Sequence, residues 1–500
     1  MSSNSNQQKQ AVVGIVGGGL VGALNAIYFA QRGWKVELYE LRPDMRLPIH
    51  RESRRGKSIN LALSERGLSA LRGTGLNLEK TILEASVPMK ARMVHIGKNG
   101  TQMSQAYDVN GQHINAVDRA RLNELLLDEA ESLANVTVYF EHRLLSADLD
   151  NNTLCAETDG TLRRLRACLS SDGKKTYRND FIIGADGAYS KTRTQMMRSM
   201  RMDYNQQYID TGYCELSMPP ATGPDGKPTF ALDPNHLHIW PRHTFMLIAL
   251  PNPDFSFTCT LFMPFQMFED IKTEDQLLAF FQEHFNDSIP LIGEAALKSD
   301  FFGNPRGSLV TVKASPHNYK DKSIIIGDAA HAMVPFYGQG MNCGFQDVEV
   351  LHQILDQHGI QPHVSEQGVI SGLEKALNDY SNTRVKDAHA ICDLAMYNYY
   401  EMRHAVTSYK FLARKKLEGA IHAVFPRLII PLYTMVSFST LPYSKAIDRW
   451  HRQTHWLNVA MMSTTVVTAT AAATFVGLRY RKQLLNSFGH IVDSIKKLRQ

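Results

Sequence analysis

Hydrophobic and polar residues alternate differently along three parts of the chain. Near its beginning, Val12–Val16 is a short apolar run, Leu20–Gln31 carries apolar residues at helical spacing, and Lys35–Tyr39 is a second short run. These three segments predict a strand, a helix and a strand. Residues 204–306 instead contain runs such as HLHIWPRHTFMLIALP and FSFTCTLFMPF, which are typical of antiparallel strands. Because residues 323–347 return to a strand, turn and helix pattern, we expect one domain assembled from non-contiguous pieces of chain.

Residues 456–478 form a continuous run without a charged side chain, and basic residues follow it in the string RYRK. As a helix, this run would be about 35 Å long, which is enough to cross the apolar part of a bilayer, about 30 Å thick. A buried terminal helix is the alternative, but the basic cluster favours a membrane anchor. The shorter uncharged run at 428–444 contains two prolines, and we expect a buried or interfacial helix there.

Composition narrows the class of protein. The chain has 500 residues, of which 44% are hydrophobic and 21% charged, enough for two or three folded domains. Residues 479–500 account for the whole net charge of +5, so the main body lacks the excess of basic residues that is typical of nucleic-acid-binding proteins. The six cysteines form no CxxC pair and no metal-ligand spacing, so we expect no metal site and a reducing compartment. The first ten residues lack the apolar core of a secretory signal and the arginines of a transit peptide.

The turn after the first predicted strand carries a glycine motif. Gly17, Gly19 and Gly22 have the spacing GxGxxG, which lets the backbone turn sharply and approach a pyrophosphate at the start of a helix. The second predicted strand ends on Glu40, whose carboxylate can bind a ribose diol and disfavours a 2′-phosphate. This combination predicts a dinucleotide site, although it does not choose between FAD and NAD.

Two later motifs favour FAD. In the string SIIIGDAAHAMVPFYGQGMNCGFQD, Asp328 follows a predicted strand, where its carboxylate can hold a ribityl hydroxyl. A helix is predicted to begin near Met341, where backbone amides can face the flavin pyrimidine ring and stabilise its anionic reduced form. The string FIIGADGAYSKTR places Asp186 at the end of another strand. Each motif alone is a common turn, but the three in this order form a specific set.

This order of motifs resembles that of the single-component flavoprotein aromatic hydroxylases. Within that class, the resemblance narrows to the kynurenine 3-monooxygenase family and covers nearly the whole chain. The strings that carry it are RRGKSINLALSERG, VPMKARMVH, GDAAHAMVPFYGQGMN, DLAMYNYYEMR and IPLYTMVSFS. These strings are much more specific than the glycine motif.

The resemblance implies an α/β fold. The expected architecture is a Rossmann-like FAD-binding domain of the GR2 or para-hydroxybenzoate-hydroxylase type with an inserted antiparallel β-sheet substrate domain, C-terminal helices and a transmembrane helix. The expected divisions are a discontinuous FAD-binding domain at 1–85, 110–203 and 307–385, a substrate domain at 86–109 and 204–306, a helical region at 386–455, an anchor at 456–478 and a basic tail at 479–500.

The resemblance also implies the activity. An enzyme of this family holds FAD without a covalent bond, uses NADPH and O2, and hydroxylates L-kynurenine to 3-hydroxy-L-kynurenine through a flavin C4a-hydroperoxide. It is anchored in the mitochondrial outer membrane, and we expect its catalytic body to face the cytosol. No second GxGxxG is present for NADPH, so its choice over NADH follows from the resemblance alone.

Site residues follow from the same resemblance. The residues that match substrate-binding positions are Arg92, Tyr107, Asn398 and Tyr433. The residues that match cofactor-binding positions are Gly17, Gly19, Val21, Gly22, Glu40, Arg42, Ala62, Arg119, Leu144, Asp186, Asp328, Met341 and Asn342. No acid or base is assigned, because an aromatic ring with an ortho amine is already electron-rich and the histidines have no partner visible in the sequence.

A second class of function shares the flavin motifs. A membrane-anchored FAD-dependent reductase, or a non-hydroxylating redox or binding scaffold, would also carry a glycine loop and an anchor. Arg92 with Asn398 argues against a lipid substrate, because a buried guanidinium needs an anion to offset its desolvation. The intact glycine and aspartate motifs argue against a vestigial flavin site.

Overall fold

The computed structural model describes residues 9–51, 60–96, 101–158, 173–403, 408–481 and 495. The chain divides into two compact units, Met1–Ser444 and Lys445–Gln500. The described helices are Leu20–Gln31, Pro48–Arg51, Glu65–Arg72, Leu78–Glu84, Arg119–Ser132, Lys191–Ser199, Phe265–Asp270, Glu274–His284, Ile289–Ile292, Glu294–Gly303, Asp328–His331, the 3-10 turn Pro335–Tyr337, Gly340–Gln357, Leu373–Arg403, Tyr409–Val424, Leu432–Ser437 and Tyr443–Arg479.

A six-stranded sheet forms the first layer of the larger unit. Its strands lie in the order Asn318–Tyr319, Ser323–Ile325, Phe181–Gly184, Val12–Val16, Lys35–Tyr39 and Val136–Tyr139, and all but the first pair are parallel. The buried apolar side chains of Leu20–Gln31, Arg119–Ser132 and Gly340–Gln357 belong to the hydrophobic core that also contains the central strands. The predicted strand, helix and strand at the start of the chain are confirmed with their boundaries.

A seven-stranded sheet forms the second layer. Its strands lie in the order Gly307–Ser315, Asp203–Met218, Phe257–Pro264, Phe245–Pro251, His236–Arg242, Ala91–Ile96 and Thr101–Ala106. Every pair is antiparallel except His236–Arg242 with Ala91–Ile96. Because side chains alternate between faces, Leu247 and Ala249 join one hydrophobic core while Ile248 and Leu250 face a cavity on the other side.

Smaller sheets complete the described strands. Two of these sheets have three strands, in the orders His142–Asp148, Thr153–Thr158, Lys174–Arg178 and Leu61–Leu63, Ile114–Val117, Val87–Met89. Two sheets are two-stranded pairs, Lys9–Gln10 with His363–Val364 and Ala221–Thr222 with Pro228–Thr229.

Residues 204–306 are less purely β-structured than their pattern predicts. The strands end at Pro264, and four helices occupy 265–303. Phe281 and Phe301 from these helices, with Phe285 directly after the second one, are fully buried in the core that covers one face of the seven-stranded sheet. The apolar residues of this stretch are therefore a helical face that covers the sheet rather than further strands within it.

Among the described residues, one helix is long and apolar enough to cross a membrane. Its candidate span, Tyr443–Val476, has no buried residue in its most apolar stretch and includes the predicted segment from 456 onward. Trp456 and Met462 are each 70% exposed. An apolar helix with such exposed side chains fits a membrane anchor. The preceding uncharged run contains the mostly buried short helix Leu432–Ser437, in line with the buried alternative expected there.

Candidate active site

A cavity of about 550 Å³ lies at the carboxyl ends of the central parallel strands. The strands Val12–Val16, Lys35–Tyr39 and Phe181–Gly184 are followed directly by residues of its wall. The predicted residues on that wall are Gly17, Gly19, Val21, Glu40, Arg42, Ala62, Arg92, Tyr107, Arg119, Leu144, Asp186, Asp328, Met341 and Tyr433. Gly22, Asn342 and Asn398 do not line it.

The glycine loop is a tight turn with open space in front of its middle residue. Gly17 has φ +105°, and a Cβ there would lie 2.4 Å from the Ala185 carbonyl oxygen. A Cβ on Gly22 would lie 1.9 Å from the Gly17 oxygen, whereas a Cβ on Gly19 would meet no protein atom within 4 Å. Gly17 and Gly22 are therefore required by the turn itself, and Gly19 faces the cavity.

The Glu40 carboxylate is held at one end of the cavity. It accepts hydrogen bonds from the Gly18 amide at 2.7 Å and from the Arg42 amide and Nε at 2.9 and 2.7 Å. These bonds join the glycine loop to the end of the second strand and fix the orientation of the carboxylate. Asp186 has a local role as well, because it accepts from the Lys191 and Thr192 amides at the start of helix Lys191–Ser199.

Asp328 and Arg119 are polar groups that face the cavity. Neither side chain has a hydrogen-bond or ion-pair partner among the described residues, and both are accessible from the cavity. Enclosure by the protein raises the pKa of Asp328, and the charge of Arg119 counteracts that rise. A ligand that bears hydroxyl and phosphate groups would satisfy both side chains.

Asn342 and Asn398 lie behind the cavity wall and bind backbone. The Asn342 amide accepts from Ser64 N at 2.9 Å and donates to the carbonyls of Ala62 and Gly338, both of which lie on the wall. Asn398 donates to the Phe336 carbonyl at 2.7 Å. In this arrangement both residues position their neighbours.

A buried arginine lies among tyrosines on the cavity wall. The Arg92 residue is 4% exposed, and its Nη1 lies 3.3 Å from a carboxylate oxygen of Glu401. Its guanidinium lies 5.6 Å from the ring centre of Tyr107 and 5.1 Å from that of Tyr433, and those two rings stack at 4.9 Å. Tyr337 also stacks with Tyr433, with ring centres 5.8 Å apart. Burial raises the pKa of all three tyrosines, which keeps their hydroxyls neutral at physiological pH.

Glu401 and Tyr337 were not predicted from the sequence. Glu401 follows Asn398 by three positions on the helix Leu373–Arg403, so both side chains share a face of that helix. This spacing could have indicated Glu401 within the string DLAMYNYYEMR. Tyr337 lies between the aspartate and the glycines of the later motif, but nothing in its spacing marks it as part of the cavity wall.

A cluster of potential metal ligands lies close to the site. One ligand atom from each of His331, Cys343 and Asp347 lies within 4.8 Å of the others. Arg384 occupies this cluster, because its Nε donates to Asp347 at 2.6 Å and its Nη2 lies 3.3 Å from the Cys343 sulfur. His331 also contacts Asp347. With a guanidinium already bound there, the cluster is an internal ion-pair network and not a place for a metal cation.

Comparison with known proteins gives concordant results. Residues 10–359 match the family model described as FAD binding domain. The chain is 44% identical to kynurenine 3-monooxygenase of Candida albicans over 91% of this chain and 94% of the relative. It is 41% identical to the enzyme of that name from Sus scrofa, over 96% and 95%.

Solved structures share the fold at lower identity. The tetrameric form of 2-methyl-3-hydroxypyridine-5-carboxylic acid oxygenase is 20% identical, with a TM-score of 0.60 over 84% of this chain and 98% of that one. PqsL of Pseudomonas aeruginosa, solved in complex with 2-aminobenzoylacetate, is 19% identical, with a TM-score of 0.59 over 79% and 97%.

Proposed function

The chain belongs to the kynurenine 3-monooxygenase family of FAD-dependent hydroxylases, and on that premise we propose that it converts L-kynurenine to 3-hydroxy-L-kynurenine with NADPH and O2. The predicted α/β flavoprotein fold and the predicted cofactor, FAD, are confirmed by the family match. The alternative of a reductase or non-hydroxylating scaffold is not favoured by these relatives.

The cavity fits FAD. The open space in front of Gly19 can admit a pyrophosphate. Asp328 and Arg119, which have no bonded partner in the part of the chain that the structure describes, suit hydroxyl and phosphate groups. FAD held by these residues would supply the redox chemistry, which is acceptance of a hydride from NADPH and activation of O2 for oxygen transfer to an aromatic ring. We propose that the cofactor-binding residues are those predicted, with Gly22 and Asn342 acting through the backbone that they shape.

The observation that carries the substrate proposal is the Arg92 guanidinium beside Glu401 on the same cavity wall. An amino acid such as kynurenine is a zwitterion, so its carboxylate and ammonium groups can bind these opposite charges. Tyr107 and Tyr433 flank Arg92 with neutral phenol rings that can hold the carboxylate in place. Because Glu401 already offsets part of the desolvation of Arg92, the argument against a lipid substrate is that an apolar tail would leave both charged groups without a ligand partner.

Orientation and exclusion of water are the tasks of the remaining wall. Leu237, Ile248, Phe262 and Phe336 supply apolar surface around the cavity. These side chains keep water from the reacting centre and hold the ring in one orientation. The protein needs no strong base, because the ortho amine already activates the ring carbon.

A direct test is to mix purified protein with NADPH and kynurenine. We expect kynurenine to accelerate the bleaching of the yellow flavin by NADPH, and 3-hydroxykynurenine to appear in air. Bleaching that does not respond to kynurenine, with no hydroxylated product, would contradict the proposed substrate.

The mode of FAD binding is a separate prediction. We expect acid precipitation to release a flavin that carries adenine, because a non-covalent cofactor leaves when the fold is lost. The supernatant can be identified by chromatography against FAD and FMN. A flavin that remains in the pellet would show a covalent bond.

We also propose the division into domains given by the sequence, except that the strand Gly307–Ser315 belongs with the seven-stranded sheet and not with the FAD-binding domain. We further propose a location in the mitochondrial outer membrane, with the catalytic body in the cytosol. The exposed apolar helix after Tyr443 supports an anchor. The family resemblance supports the choice of membrane.

Deletion of residues 456–500 should release the protein from membranes. The removed segment contains most of the exposed apolar helix, whereas residues up to Ser444 form a separate compact unit. We expect full-length protein in the carbonate-resistant pellet and truncated protein in the supernatant. Sedimentation of the truncated protein with membranes would instead locate the anchor elsewhere, for example at 428–444.

A further inference from the structure

The guanidinium of Arg66 is buried against the segment that precedes the apolar helix. Arg66 belongs to the helix Glu65–Arg72 and has no exposed surface. Its Nε donates to the Val436 carbonyl at 2.9 Å, and its Nη2 donates to the carbonyls of Met435 and Leu441. The guanidinium also lies 3.8 Å from the ring centre of Tyr443. Arg66 therefore bonds backbone at three points of one short stretch.

These contacts stabilise the carboxyl end of a helix that could not form alone. The helix Leu432–Ser437 has six residues, and isolated helices of this length are unstable in water. The carbonyls of Met435 and Val436 are among those that an α-helix leaves without an intrahelical partner. A cation at this end also interacts favourably with the helix dipole. Tyr433 lies in the first turn of this same helix.

Arg66 also contacts the helix that begins at the cavity. Its Nη1 donates to Gln346 Oε1 at 3.0 Å, and Gln346 belongs to the helix Gly340–Gln357, whose Met341 lines the cavity. Every hydrogen bond of the Arg66 guanidinium within the described structure ends on a neutral oxygen. An arginine buried without a bonded carboxylate carries a desolvation cost, which these hydrogen bonds to neutral oxygens offset in part.

Both sides of this contact lie in sequence strings that carry the family resemblance. Arg66 belongs to the string RRGKSINLALSERG, and the carbonyls of Met435 and Val436 belong to IPLYTMVSFS. These two strings lie far apart in the chain but are bonded directly in the fold.

We propose that Arg66 is a positioning residue that sets Tyr433 against Arg92 and Tyr107, and so determines affinity for the amino-acid substrate without touching it. This inference rests on the proposed role of Tyr433 in the substrate site. Substitution of Arg66 should release the short helix while leaving the glycine loop and its surroundings unchanged.

The test is a double-mutant cycle on flavin-loaded, full-length protein with Arg66→Gln and Tyr433→Leu. Kynurenine affinity is measured from the perturbation of flavin absorbance, alongside FAD content and thermal midpoint. We expect Arg66→Gln to weaken binding roughly 10-fold, as loss of a favourable helix-end cation allows. In the Tyr433→Leu background the same change should weaken binding by less than about 2-fold. Differences of about this size also occur between independent mutations, so a smaller effect counts as none.

Arg306→Gln is the matched control. Arg306 donates to the Asn304 carbonyl at 2.7 Å and lies 4.4 Å from the Phe301 ring centre, so it has the same kinds of partner outside the cavity wall. We expect it to lower the thermal midpoint and to leave kynurenine affinity unchanged.

Two results would overturn this inference without contradicting the proposed function. One is an Arg66→Gln protein with the affinity of Arg306→Gln, and the other is an equal loss in both backgrounds of the cycle. An unchanged affinity in Tyr433→Leu alone would remove Tyr433 from the substrate site and refute the inference with it. If Arg66→Gln yields no flavin-loaded protein, the same criteria apply to Arg66→Lys, which keeps the charge but cannot reach all of the carbonyls.

Discussion

Replacement of Arg92 with alanine is expected to weaken kynurenine binding by roughly 10- to 150-fold. A hydrogen bond to a charged group contributes about 1.5 to 3 kcal/mol, and about 1.4 kcal/mol corresponds to a tenfold change in affinity. Arg92→Lys should recover part of this loss, because lysine keeps the charge but not the planar fork. The variant should also form less 3-hydroxykynurenine per NADPH consumed, since a loosely held ring no longer faces the reactive oxygen.

Glu401 provides the competing explanation. Its side chain is 19% exposed and lies 3.3 Å from Arg92. On this explanation, the arginine neutralises a nearly buried acid and does not bind the substrate. Removal of Arg92 leaves that carboxylate without its ion-pair partner, which lowers stability whatever the role in binding. Stability and affinity must therefore be measured separately.

The double variant Arg92→Ala with Glu401→Gln tests the stability role. It removes the unpaired charge, so we expect the thermal midpoint to recover, whereas kynurenine affinity stays low because the proposed partner of the ammonium group is lost as well. The affinity of the single variant Arg92→Ala therefore decides the binding role. An Arg92→Ala protein that has lost stability but binds kynurenine as tightly as the unmodified chain would remove Arg92 from the substrate site.

Replacement of Gly22 with alanine should weaken the binding of FAD. The new Cβ would overlap the Gly17 carbonyl oxygen at 1.9 Å, so the turn must open. Overpacking of this kind costs up to about 3 kcal/mol, which corresponds to a loss in FAD affinity of roughly 100-fold. FAD titration of the apo-protein, followed by flavin fluorescence, measures the change.

Gly19→Ala is the matched control for that prediction. Its Cβ would meet no protein atom within 4 Å, so the apo-protein should keep its thermal midpoint. FAD affinity should nevertheless fall, because the methyl group projects into the space proposed for the pyrophosphate. Normal FAD affinity in Gly19→Ala would show that the cofactor does not approach this residue, and normal affinity in Gly22→Ala would show that the turn tolerates the overlap.

The elements that the sequence predicts well are those coded by neighbouring residues. The strand, glycine turn and helix from Val12 to Gln31 follow from spacing alone, because each residue acts on backbone close to it. The helix Glu274–His284 had a similar local signal that the β-type pattern obscured. Its capping box of Thr273 and Gln276 is visible in the sequence as T-x-x-Q.

The substrate wall is harder to predict because it depends on contacts between distant segments. Arg92 and Glu401 are 309 positions apart, and no local periodicity records that they meet. Asn398 illustrates a different limit. The family resemblance predicts Asn398 as a substrate-binding residue. Only the fold shows that its amide donates to the Phe336 carbonyl and does not face the cavity.

The order in which the cofactor-binding and substrate-binding residues occur along the chain has a consequence for biosynthesis. The predicted cofactor-binding residues end at Asn342, whereas Glu401 and Tyr433 come later, and Arg66 reaches 370 positions along the chain to bond Val436. Because chains are made from the amino terminus and domains fold as they emerge, the last predicted cofactor-binding residue is synthesised before the substrate-binding residues are complete. A nascent chain that could already bind a nucleotide would still lack Tyr433, so hydroxylation becomes possible only after the last part of the larger unit has been translated.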